Sequence, residues 1–309
     1  MTLQVLLALI PVILLIGLGA VLKRRDFLKA EFWPQAERLG YYILLPCLFF
    51  NGLAMADLSD LPVAGLALTL ILSTVIVAGL VLCCRPLMRI DGPAFTSVFQ
   101  GSVRFNNYVG ITLAAGLFGA QGIALAAICN AAIVPTVNIL CVLVFARFGP
   151  APLSVRGLMA QLAGNPLILS SLAGIAFQAM GLRIPPGIEP ALRALGAASL
   201  PLGLLCVGAA LSFGTARTWI GPLATSSAFK FLLLPATTLM IAHMAGLEGK
   251  ALTTALLFQV LPTASSAYIL ARQLGGDAPL MAGITATQTI IAIAAIPAMV
   301  AAASVIGML

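Results

Sequence analysis

The chain is a succession of apolar runs, each roughly twenty residues or longer, divided by short loops that carry most of its charge. Lipid offers no partners to a bare N–H or C=O, so runs of this kind fold as helices. Only 8% of the 309 residues are charged, against about 25% in a soluble domain, and mean hydropathy is +1.12. The sequence therefore predicts an all-α polytopic integral membrane protein.

Charge and turn signals divide the chain into ten segments, at 3–22, 35–54, 61–82, 93–118, 121–146, 158–180, 187–212, 218–245, 250–274 and 278–306. The first is expected to be a spanning helix and not a secretory leader, because the charges "KRRDFLK" follow its apolar run instead of preceding it. The loops set the orientation. Lys23, Arg24, Arg25, Lys29 and Arg38 lie in the first, Arg85 and Arg89 in the third, Arg147 and Arg156 in the fifth, Arg217 in the seventh and Arg272 at the edge of the ninth. The even loops are poorer in basic residues, with Asp57 and Asp60 in the second, Arg183 and Glu189 in the sixth, and Glu248 and Lys250 in the eighth. With odd loops inside, the positive-inside rule holds along the chain and both termini face outward, into the periplasm if the membrane is a bacterial inner membrane. The net charge of +7 is then an orientation signal and not a nucleic-acid footprint. The six cysteines lie in or beside apolar runs without metal-ligand spacing and read as small hydrophobes.

The two halves of the chain resemble each other. "IPVILLIGLGAVL" at 10–22 aligns with "NPLILSSLAGIAF" at 165–177, placing Gly19 over Gly174. Leu45-Pro46 falls over Leu200-Pro201 at the same offset of 155, and Phe99-Gln100 over Phe258-Gln259 nearby. Residues 1–150 and 151–309 thus read as two five-helix repeats. Five is odd, so the second must enter the membrane from the opposite side, giving the 5+5 inverted repeat of secondary transporters.

Polar residues fall at equivalent depths of segments four and nine. "RFNNY" supplies Arg104, Asn106, Asn107 and Tyr108, and "LPTASSA" supplies Pro262, Thr263, Ser265 and Ser266. Pro262 removes a backbone donor, and Asn, Ser and Thr prefer caps to helix interiors. Both segments are therefore expected to be broken helices that cross at the midplane. The second half-helix of each would point its N-terminus at the break, and Arg104 adds a fixed charge that can grip a carboxylate with two hydrogen bonds. These eight residues are the candidate substrate-binding set. The alternative for Arg104 is a structural tether that donates to freed carbonyls, and Asn106 and Asn107 can serve as caps without touching substrate.

Lys230 lies near the middle of segment eight, where a charge costs several kcal/mol unless it is paired or hydrated. It is a candidate for coupling or for lining the pocket, with a backbone tether as the alternative. Asn130, Thr285, Thr287, Gln288 and Thr289 form a second polar set that either lines the crossing or joins helices. His243 reads as an interfacial spectator. No Asp or Glu is expected deep in a segment, which speaks against a carboxylate-based sodium or proton site.

The stretches "LLPCLFFNGLA", "RFNNYVGITLAAGLFG" and "LPTASSAYILARQLGGDA" resemble the auxin efflux carrier family, and the likeness covers essentially the whole chain. The resemblance implies the ten-helix fold shared with bile acid sodium symporters. In that fold helices one, two, six and seven form a scaffold, often at a homodimer interface, and helices 3–5 and 8–10 form a transport domain. It implies small organic anions such as auxin, malate or malonate as substrates, and matches Asn106 and Pro262 to the crossover residues. Arg104 is not a general family feature, so auxin itself does not carry over. Prolines usual in helix four are replaced here by Phe105 and Thr112, so the first break is expected to be gentler than the second. Residues 147–157 stand where many plant members have a long loop, which fits a bacterial permease.

The sequence thus predicts a secondary carrier for a small organic anion, without cofactor, coupled to a proton, to sodium or to neither. The alternatives are a sodium-coupled symporter and, more distantly, an intramembrane enzyme, for which no GxSxG motif exists.

Overall fold

A computed structural model describes residues 2–56, 61–150, 157, 159, 163–211 and 220–305. Asp57, Asp60, Arg156 and Arg217, which help to orient the loops, lie outside the described residues. Among the described residues the fold is helical without strands. In chain order, α1 is Thr2–Arg24. Helix α2, Phe32–Leu39, runs through a π turn at Gly40–Leu44 into α3, Leu45–Ala54. Helix α4 is Val63–Met88, α5 Gly92–Val103, α6 Asn107–Phe148, α7 Pro166–Ala179 and α8 Glu189–Ala209. Helix α9, Ile220–Ala228, continues through a π turn at Phe229–Leu233 into α10, Leu234–Met244. The last three are α11, Gly249–Gln259, α12, Ser266–Leu274, and α13, Ala278–Val305.

Six described stretches are long and apolar enough to cross a membrane, against ten predicted segments. The difference lies in where helices are interrupted. Segments four and five fall inside one stretch, Gly92–Phe148. It breaks after Val103 and turns at Gly119, whose φ of 59° favours glycine. Segment two is divided by a π turn, segment nine is broken, and the described helix of segment six starts only at Pro166.

Each π turn has a proline as its cause. Pro46 cannot donate to Tyr42, and Pro235 cannot donate to Phe231, the carbonyls a regular α-helix would assign them. In each case the preceding leucine reaches one residue further back, Leu45 N–H to the Gly40 carbonyl and Leu234 N–H to that of Phe229. The chain keeps its helical path and shifts its register by one residue.

Helices α5 and α11 form the centre. Every residue from Ala94 to Val103 and from Ala251 to Gln259 is buried, while α1 turns Leu3, Leu14 and Leu18 outward. Asp91 caps α5 by accepting the Ala94 N–H at 2.8 Å. At the same end the Arg85 guanidinium lies 4.3 Å above the Phe148 ring, joining α4 to α6.

Helix α1 lies along α8, and α3 along α7. Glycines let these pairs approach. A methyl at Gly19 would strike the Leu205 carbonyl, and one at Gly208 the Ile16 carbonyl. A Cβ on Gly174 would sit 2.9 Å from the Phe50 carbonyl. Gly19 with Leu205 and Phe50 with Gly174 are the same contact moved by 155 positions, the offset that aligns the two halves of the sequence.

Gly208→Ala is expected to destabilise the protein by about 1–3 kcal/mol, because the obstacle is backbone and cannot rotate away. Gly17→Ala, with nothing within 4 Å of the added carbon, should be neutral or slightly stabilising. Melting temperatures of the two variants in one detergent check this.

Candidate functional site

The two predicted breaks exist and touch. Helix α5 ends at Val103, Arg104 is extended (φ −74°, ψ 157°) and α6 starts at Asn107. The local reason is Asn106, whose side-chain oxygen accepts the Val109 N–H at 3.3 Å and so competes with continuation of α5. The second break runs from Val260 to Ser265, around Pro262. It is the longer of the two, as expected from the proline in one and its absence from the other. The Asn106 N–H donates to the Pro262 carbonyl at 2.8 Å. Beside this bond the rings of Phe105 and Phe258 lie 5.7 Å apart.

A cavity of about 480 Å³ opens at this junction. Arg104, Asn106, Asn107, Tyr108, Ser265 and Ser266 of the predicted set line it. Pro262 and Thr263 do not; both are buried behind it. Arg104 is half-buried at the cavity wall, where Nη1 donates to Asn138 Oδ1 at 3.1 Å. Among the described residues the one ion pair is Arg193 with Glu189, neither of which lines the cavity. Arg104 therefore faces the cavity without a carboxylate partner.

An acidic residue reaches the cavity from the end of a segment. Glu37, in the first turn of segment two, lines the cavity, and its Oε1 accepts a hydrogen bond from Ser265 Oγ at 2.9 Å. It lies near the end of an apolar run and not deep in it, and so is not among the candidate site residues of the sequence; α2 sets that end against the second break. Asn138, Tyr41 and Asn165 also line the cavity unpredicted. For Asn138 a signal was present, because it lies two helical turns from Asn130 on one face of α6.

Tyr108 fills a slot cut by two glycines. A methyl on Gly203 would overlap its ring, and a Cβ on Gly40 would come within 2.7 Å of its hydroxyl. The first break is thus seated against both α8 and the π turn after α2.

The second polar set lies outside the cavity. Gln288 is fully buried and acts as a clamp. Its Oε1 accepts the Thr263 N–H at 3.0 Å, and its Nε2 donates to the Gly101 carbonyl at 3.0 Å and to Ser226 Oγ at 3.2 Å. One side chain of α13 thereby satisfies backbone groups that both breaks leave without helical partners. Asn130 donates to the Ala126 carbonyl, Thr285 to that of Met281 and Thr289 to that of Thr285, each within its own helix. Lys230 is also fully buried and away from the cavity, and its Nζ has no hydrogen-bond partner among the described residues. His243 is exposed near the end of α10. All six cysteines are free, and no cluster of three metal-ligating side chains occurs among the described residues.

Touching helix breaks beside a cavity, within a bundle of apolar helices, define an integral membrane protein of transport type. Residues 152–300 match the family described as Membrane transport protein. An "Uncharacterized transporter" of Methanothermobacter thermautotrophicus is 23% identical over 296 residues, covering 93% of this chain and 95% of its own. A "Putative malonate transporter" of Rhizobium meliloti is 24% identical over 251 residues, covering 76% and 75%. These matches agree with the resemblance to the auxin efflux carrier family, and the family and the relatives carry the names of transporters and not of enzymes.

Gln288→Leu is expected to cost about 2–4 kcal/mol, since it leaves buried N–H and C=O groups at both breaks unpaired. Thr289→Val, which removes a bond within one helix, should cost under about 1 kcal/mol. Thermal unfolding of the two variants side by side gives the comparison.

Proposed function

We propose that this protein is a secondary carrier that moves a small organic anion, a carboxylate, across the membrane by alternating access. The observation that carries the reading is Arg104, a fixed positive charge at a helix break, facing a cavity of about 480 Å³ with no carboxylate paired to it. A guanidinium in that setting favours a planar anion that accepts two parallel hydrogen bonds. Asn138 holds one arm of the guanidinium and sets its direction. The name of the Rhizobium relative agrees with a small carboxylate.

The proposal includes ten spans in two inverted repeats. It is supported by the recurrence of the Gly19–Leu205 contact as Gly174–Phe50. Segments one, two, six and seven would then be the scaffold, through which two copies pair, and the broken segments would belong to the moving part. The Tyr108 slot between Gly40 and Gly203 lies where those two bodies meet. The loop charges support an orientation with both termini outward, which is the periplasm if the membrane is a bacterial inner membrane.

The test is ligand-induced thermal stabilisation of the purified protein by acetate, malonate, succinate and benzoate. At least one should stabilise the wild type. Arg104→Ala should weaken that binding by about 10–100-fold, the loss of a charge-assisted hydrogen-bond pair, and Arg104→Lys should restore part of it. A folded Arg104→Ala protein that binds as the wild type does would reduce Arg104 to a backbone tether and end this reading.

A further inference from the structure

The cavity contains its own carboxylate. We propose that Glu37 is an internal stand-in for the substrate anion, and that an entering carboxylate displaces it and is accompanied by a proton that Glu37 takes up. This rests on the anion-carrier reading above.

Glu37 projects from α2 and is held by Ser265 Oγ, the residue that opens α12 at the second break. A hydroxyl at the start of a helix is a group that a substrate carboxylate would seek there. Ser265, Ser266 and Arg104 all line the one cavity with Glu37. The side chain thus spends its negative charge on the polar groups the anion needs.

The charged and titratable groups around Glu37 are few. On its own stretch they are Arg38, Tyr41 and Tyr42, all at the cavity wall. Arg104 and Tyr108 face it from the first break, and Cys206 from α8. From α12 it meets Ser265, Ser266 and Gln273, which do not titrate. No cation of this set is within ion-pair distance of its carboxylate. A second carboxylate entering the cavity therefore meets an unneutralised like charge. Two carboxylates sharing one site cannot both stay ionised at low cost, so one proton is taken up. The proton comes from the bulk solution, carried by hydronium or buffer, and goes to a Glu37 oxygen, leaving the substrate ionised on Arg104. Charge balances as one anion and one proton entering together.

Linkage gives the sign. If binding takes up one proton, affinity rises as pH falls, by up to about tenfold per pH unit. The experiment is titration of the purified protein, followed by thermal stabilisation and calorimetry, with benzoate as probe because it stays ionised from about pH 6 to about pH 8. Wild-type affinity should rise toward the lower pH, and calorimetry in buffers of different ionisation enthalpy should report proton uptake near one per anion. Glu37→Gln, which keeps the shape and carries no charge, should bind at least as tightly at both values, with a flat pH profile and no proton uptake. A Glu37→Gln protein that keeps the wild-type pH profile overturns the inference while Arg104→Ala still decides the anion reading. Absence of benzoate binding by both wild type and Glu37→Gln at either pH overturns it as well.

Discussion

One hydrogen bond, from the Asn106 N–H to the Pro262 carbonyl, organises the rest of the molecule. A helix interrupted inside a membrane protein exposes donors and acceptors that lipid cannot satisfy. A single broken helix would carry that cost alone. Two broken helices set against each other share it, each supplying what the other lacks. Gln288 completes the arrangement from a third helix by binding a carbonyl freed at the first break and an N–H freed at the second. The central helices are buried from Ala94 to Val103 in α5 and from Ala251 to Gln259 in α11, where they approach the breaks, whose backbone tolerates no lipid contact.

That constraint also sets the electrostatics of the cavity. The second half-helices α6 and α12 begin at the junction and the first half-helices α5 and α11 end there, so the partial charges of the helix ends oppose one another and side chains decide the sign. Arg104 supplies positive charge, and Glu37 offsets it. On the proposed reading, a cavity with Arg104 alone would bind anions strongly and release them slowly, and the resident carboxylate would lower that affinity toward one compatible with turnover.

How far the sequence reveals this depends on the range of the signal. The breaks were legible because Asn106 and Pro262 act locally, one as a cap and the other through its ring. Gly19 and Gly174 were legible through the alignment of the halves. The longer reach of the second break followed from its proline. Other features were not legible, because their cause is tertiary. Gln288 and Thr285 look alike in a polar stretch of one apolar helix, yet Gln288 braces two backbones and Thr285 bonds within its own turn. Glu37 sits at the end of a run, and nothing local tells that α2 carries it to Ser265. The π turns could have been anticipated from Leu-Pro pairs inside long apolar runs, but Leu200-Pro201 in α8 shows that such a pair is not sufficient.

The aligned pairs Phe99-Gln100 and Phe258-Gln259 differ in what their glutamines do. The Gln259 amide donates to Ser73, Thr74 and the Leu70 carbonyl, which ties α11 to α4. Gln100 has no such bonds: both its amide atoms are buried and unpaired among the described residues. Helix α5 packs among several elements, one of them the π turn Phe229–Leu233, which carries the buried Lys230. Gln259 therefore anchors α11 to α4 by side-chain hydrogen bonds, and Gln100 makes no such anchor for α5 among the described residues. A buried lysine with no partner costs several kcal/mol that a hydroxyl at the same place would not. Fold stability alone would have favoured the serine and threonine solution used by α4. Of the two breaks only the first carries a fixed positive side chain, Arg104, so that charge at the junction is a feature of the first break alone.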